Sequence, residues 1–164
     1  MATQAQRFIA FLRKHELCLV TAESCTAGMV TALLADVPGA GSFLDCGLVT
    51  YSEEAKKRLL NVKQKTIDKY TLTSEHIARE MAIGALRQSC ANAVITTTGV
   101  TGPDPIDGIA PGTICFAWGF KQGKRVTMAS ETKHFRGERE ELRTIAAQYA
   151  LRRFPYFYSN LFQS

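Results

Sequence analysis

A three-layer α/β/α sandwich around a mixed, mostly parallel sheet is the fold class this sequence predicts, and three observations lead to it. Helical and strand-like patterns alternate along the chain. Only one connection, Lys121-Gln122-Gly123-Lys124, reads as a tight hairpin, so the other strands need crossovers. Three apolar runs end in hydroxyl or glycine clusters, and open α/β sheets bind ligands at the carboxyl ends of their strands.

The elements follow in order. Ala5, Phe8, Ile9 and Leu12 recur at helical spacing over Gln4–His15, and Thr3 with Gln6 forms a capping box. Leu17–Thr21 reads as a buried strand and Met29–Ala35 as a helix stopped by Pro38 and Gly39. Phe43–Tyr51 is a second strand. Ser52 then caps a helix with Glu53 and Glu54 in its first turn. Val62–Tyr70 is a short helical piece, and Ser74 opens a helix carrying Ile77, Ala78, Met81, Ala82 and Ala85. Val94–Thr98 is the third strand. A Pro- and Gly-rich loop, Asp104–Gly112, leads to strands Thr113–Phe120 and Arg125–Thr132. The last helix spans Glu138–Phe154, with an aromatic tail from Pro155 that docks on the domain or on a second subunit.

The 164 residues, 46% hydrophobic and 21% charged, suit one globular domain over 1–164 rather than a disordered chain. No apolar run approaches the ~20 residues of a membrane span. The N-terminus lacks the basic-then-apolar layout of a signal peptide, so the expected location is cytoplasmic. Five cysteines without a C-x-x-C pair argue against a disulfide framework or a zinc site, and most are expected to be small buried hydrophobes. His15, His76 and His134 lack metal-ligand spacing. A net charge of +5 suits an anionic ligand such as a phosphate ester. The basic residues are dispersed, which speaks against nucleic acid.

Chemistry concentrates in Thr21-Ala22-Glu23-Ser24-Cys25-Thr26-Ala27-Gly28, where a strand turns into a helix. Backbone N–H groups collect at a helix start, so a nucleophile there has oxyanion donors nearby. Ser24 or Thr26 as a plain helix cap is the competing explanation. The other clusters are Thr50-Tyr51-Ser52 and Thr97-Thr98-Gly99.

The first of these stretches, with Val49-Thr50-Tyr51-Ser52-Glu53-Glu54-Ala55-Lys56 and Gly99-Val100-Thr101-Gly102-Pro103, resembles the CinA C-terminal domain family. That family includes nicotinamide mononucleotide deamidases. The resemblance runs from about the first helix to the last. It implies an α/β/α sandwich assembled as a homodimer, and hydrolysis of nicotinamide mononucleotide to nicotinic acid mononucleotide and ammonia with no cofactor. It makes Ser24 the nucleophile, with Lys56 and Tyr51 completing the catalytic set. A base lysine must be neutral, which burial and the positive potential of a helix start favour. The alternatives are a solvated Lys56 paired with Glu53 and a sheet-end Tyr51.

Around these, Glu23 orients the turn or bonds the substrate. Cys25, Thr50 and Thr98 are further substrate-binding candidates, and Thr26 and Gly28 place amides for the oxyanion. Gly99 and Gly102 let the strand end approach a ligand closely. Arg139, in a segment similar to the family's Gly-Asp-Arg, is a candidate phosphate contact, with Arg136 its rival.

The chain departs from the family at Ala27, where a glycine is usual, and in the loop 103–111, where Ile106 and Ile109 are unusual. A Cβ at position 27 is tolerable in helical backbone and costly at positive φ. Two other readings stand beside the hydrolase, and the departures support the second. Cys25 is a rival nucleophile, since thiols acidify at helix starts. An inactive paralogue would serve as a nucleotide-binding or regulatory module.

Overall fold

The computed structural model describes residues 1–162. The expected domain, 1–164, therefore includes two residues, Gln163 and Ser164, that lie outside the described residues. The elements run α1 (Gln4–Lys14), β1 (Leu19–Glu23), α2 (Met29–Ala35), β2 (Leu44–Val49), α3 (Glu53–Leu60), α4 (Gln64–Tyr70), α5 (Glu75–Arg87), β3 (Ala93–Gly99), β4 (Thr113–Gln122), β5 (Arg125–His134) and α6 (Arg139–Phe162).

The sheet order is β2-β1-β3-β4-β5. Strand β1 pairs in parallel with β2 and β3, while β3–β4 and β4–β5 are antiparallel, so β4 alone is reversed. The register places Glu23 beside both Val49 and Thr97. The three strand ends that carry hydroxyl and glycine clusters thus lie side by side on one edge.

Each face of the sheet has its own core. Alternation along β4 sends Ile114, Phe116, Trp118 and Phe120 to the face covered by α1, α2 and α6, where they meet Phe8, Leu12, Val30, Ala146 and Phe154. Cys115 and Ala117 face the other way, toward Ile77, Met81 and Ala85 of α5 and Leu60 of α3. Large residues fill the first layer and small ones let α5 sit close in the second.

Among the boundaries that differ from the expected ones, three have a clear physical reason. Glu16 takes a left-handed φ of 52° and the Leu17 amide returns to the Leu12 carbonyl (2.9 Å), so residues 16 and 17 close α1 and β1 begins later. Thr50 and Tyr51 leave β2, and their carbonyls turn toward Lys56. The last helix does not stop at Phe154. It continues through Pro155 to Phe162, because the tail aromatics form a helical stripe on the sheet. Phe157 packs on Trp118 (ring centroids 4.5 Å apart), and Tyr158 packs on Phe120 (5.3 Å) and Phe11 (5.5 Å). The tail therefore docks on its own chain.

The cysteine expectation is also corrected. Only Cys25 and Cys115 are buried; Cys18 and Cys46 are half-buried and Cys90 is exposed. His15 packs on Phe11 and Tyr158, and His76 stacks on Tyr70. Among the described residues, no helix is long and apolar enough to cross a membrane.

Candidate active site

Glu23 anchors the turn that carries Ser24. Its side chain is fully buried at the end of β1. The carboxylate accepts the Val30 amide (3.0 Å) and the Thr31 amide (2.9 Å), two of the orphan N–H groups at the start of α2. It also accepts the hydroxyls of Thr26 (2.6 Å) and Thr31 (2.8 Å). Thr97 on β3 joins the same network through Thr26, 2.7 Å away. A buried charge needs such partners. Glu23 is therefore the cap of α2, neither Ser24 nor Thr26 caps it, and the carboxylate faces away from the ligand side.

Between Ser24 and α2 the chain makes a tight turn. The Ala27 amide donates to the Ser24 carbonyl (3.0 Å) and the Met29 amide to the Thr26 carbonyl (3.1 Å). Ala27 and Gly28 both take positive φ, 49° and 90°. Glycine suits this at position 28, whereas Ala27 occupies the costly conformation. Arg143 on α6 donates to the Thr26 carbonyl (3.2 Å) and ties that helix to the turn.

Lys56 approaches from the opposite side. Lys56 and Leu60, one helical turn apart, are the buried residues of α3. The neighbouring Lys57 points outward and forms the surface ion pairs with Glu53 and Glu54. Lys56 is 2% exposed, and its Nζ donates to Ser24 Oγ (2.8 Å), the Thr50 carbonyl (2.9 Å) and the Tyr51 carbonyl (3.1 Å). Among the described residues it forms no ion pair. Burial lowers its pKa from 10.5 to about 8, a shift that Cys25 and Glu53 only partly oppose. At neutral pH roughly a tenth of the amine is uncharged. In that form the two carbonyls hold both N–H groups, and the lone pair falls to Ser24.

A cavity of about 220 Å³ opens in front of this pair. Ser24, Cys25, Tyr51 and Lys56 line it, with Thr98, Gly99 and Gly102 from the end of β3 and Arg139 from α6. Arg136 faces a different surface depression, so only its rival reaches this cavity.

Several expected contacts are redirected. Thr26, Gly28 and Thr50 do not line the cavity. Thr26 serves the Glu23 network, Gly28 the turn, and Thr50 offers Lys56 its carbonyl. Thr98 lines the wall, but its hydroxyl is held by the Leu72 carbonyl (2.9 Å). Gly99 lines the cavity and is also required by packing, since a Cβ there would lie 2.6 Å from Ile114 Cδ1. A Cβ at Gly102 would come within 3.0 Å of Arg139 Nη2, so this glycine makes room for the guanidinium. The Tyr51 side chain is 60% exposed on the rim, and the group that reaches Lys56 is its carbonyl. Cys25 is buried, and burial pushes its thiol up to about 12, which disfavours the thiolate at neutral pH.

Leu72 and Thr73 also line the cavity, as do Val100 and Thr101 of the Gly99–Pro103 motif, and Arg143 braces the turn from outside it. The first two sit on the α4–α5 connection, which carried no motif. Arg143 was visible as the i+4 neighbour of Arg139 on α6.

A family model described as CinA C-terminal domain matches residues 1–156. The chain is 36% identical over 143 residues to nicotinamide-nucleotide amidohydrolase PncC of Enterobacter agglomerans, covering 87% of this chain and 85% of that protein. It is 37% identical over 148 residues to Protein YdeJ of Escherichia coli (strain K12), covering 90% of this chain and 81% of that one. Among solved structures, a competence-damaged protein (CinA) superfamily protein from Klebsiella pneumoniae aligns with a TM-score of 0.86 at 32% identity over 92% of both chains.

Proposed function

This chain belongs to the CinA C-terminal domain family, and from that premise we propose that it hydrolyses the carboxamide of nicotinamide mononucleotide. The observation that carries the reading is the buried Lys56 amine, 2.8 Å from Ser24 Oγ and without an ion-pair partner among the described residues. The name of the amidohydrolase relatives supplies the substrate class.

The reaction runs in two halves. Neutral Lys56 takes the Ser24 proton as the oxygen attacks the carboxamide carbon. The C–N bond breaks, Lys56 returns the proton to the leaving nitrogen, and ammonia departs from a Ser24 ester. Water then gives its proton to Lys56 and attacks that ester. Nicotinic acid mononucleotide leaves, and Ser24 recovers its hydrogen. Of the turn after Ser24 only Cys25 lines the cavity, so its backbone amide serves the oxyanion in this scheme. Arg139 holds the phosphate, and the Tyr51 phenol meets the substrate at the rim. A homodimer, carried by family resemblance alone, completes the reading, and the expected location stays cytoplasmic.

Ammonia release from nicotinamide mononucleotide by wild type and Ser24→Ala tests this. The expected loss is about a thousandfold or more with the fold intact. Full turnover by Ser24→Ala ends the proposal. The positive φ at Ala27 favours a second reading, a binding module without turnover. Tight binding of the mononucleotide with no ammonia released would decide for it.

A further inference from the structure

We propose that Ile106 covers the pyridine ring of the bound nucleotide and sets its affinity, an inference that rests on the function proposed above. Ile106 lines the same cavity as Ser24, Lys56 and Arg139, yet its side chain is 55% exposed. An isoleucine left open to water on the cavity wall gains by covering an apolar surface. The substrate offers one such surface, its ring, since the rest is sugar and phosphate.

The loop that carries Ile106 is built in advance. The Ile106 amide donates to the Ile109 carbonyl (3.1 Å), and the Ile109 amide donates back to the Ile106 carbonyl (2.9 Å). Asp107 and Gly108 between them take φ of 51° and 75°, the paired positive angles of a tight hairpin turn, for which Asp-Gly is a favoured sequence. Pro105 fixes the backbone on the other side. This miniature hairpin presents Ile106 with little left to order on binding, so the contact is expressed as affinity. Ile106 touches no reacting atom in this scheme and acts on binding rather than on the chemical step.

The test is calorimetric binding of nicotinamide mononucleotide and of ribose 5-phosphate to Ser24→Ala and to Ser24→Ala/Ile106→Ala, which separates ring from phosphate. The expected result is roughly tenfold weaker binding of the mononucleotide in the double variant, with ribose 5-phosphate unchanged. Gly108→Val, which strains the turn, should reproduce the loss in the same background. Equal affinities for the mononucleotide, or equal weakening of both ligands, would overturn the assignment. Absence of turnover by the wild type bears on the hydrolase reading alone, because this comparison needs none.

Discussion

Lys56 Nζ lies 2.8 Å from Ser24 Oγ, and its two other acceptors are backbone carbonyls. That arrangement makes the uncharged amine reachable near neutral pH and aims its lone pair at the hydroxyl. An ordinary surface lysine has neither property. In the proposed mechanism the activity and its pH response depend on it, and part of the stability is expected to follow.

Activity should rise with pH. Lys56 is a base only when deprotonated, and its pKa is lowered to about 8. Turnover is expected to climb about tenfold per pH unit below that value and to level off above it. Lys56→Arg should be inactive at every pH, since a guanidinium keeps its proton. A flat profile from pH 6 to 9, measured by ammonia release, would contradict this.

Stability should carry the same signature. The folded pKa lies below the unfolded one, so between about pH 8 and 10.5 the unfolded chain binds the extra proton and stability rises with pH. Denaturant titrations of wild type and Lys56→Met at several pH values isolate the effect. Buried thiols pull the other way in both proteins and largely cancel in the difference, apart from the coupling of Cys25 to Lys56. Wild type should gain about 2–3 kcal/mol on the variant between roughly pH 8 and 10. A constant difference would refute the depressed pKa.

Arg139 and Arg136 are separable. Arg139→Ala should raise KM for the mononucleotide by about 10- to 100-fold, the loss of a charged contact to phosphate. It should leave nicotinamide riboside, which has no phosphate, unaffected. Arg136→Ala should change neither. Steady-state kinetics with both substrates would expose a reversed pattern.

Glu23→Gln keeps the shape but turns an NH₂ toward groups that are themselves donors. The Val30 or Thr31 amide then loses its acceptor in a fully buried place. A loss of about 2–3 kcal/mol in chemical unfolding is expected. A variant as stable as wild type would show that the carboxylate is not the cap of α2.

At Ala27 the expected sign is opposite. A left-handed alanine costs about 1–2 kcal/mol, while glycine there costs roughly 0.5–1 kcal/mol in unfolded-chain freedom. Ala27→Gly should therefore stabilise by about 0.5–1 kcal/mol, read from the shift of the urea midpoint. A destabilised variant would mean the turn does not strain alanine.

Local pattern determined a large share of this protein. Periodicity and caps laid out the alternating helices and strands, the Thr3–Gln6 capping box and the Ser52 cap, because these depend on residues within a few positions of one another. The three hydroxyl-bearing strand ends were also legible, and parallel pairing brings them to one edge. Tertiary contact decided the rest. Within α3 the spacing to Leu60 puts Lys56 on the inner face, but only packing against the strand ends buries its amine beside Ser24 while Lys57 pairs with Glu53 and Glu54 at the surface. Glu23 reads alone as a charge beside a nucleophile and becomes a cap only when α2 folds back over it. Pro155 marks a helix end by local rule, yet the aromatic contacts of Phe157 and Tyr158 with the sheet carry α6 past it. Each of these outcomes rests on residues distant in sequence, whose interaction energies local pattern does not contain.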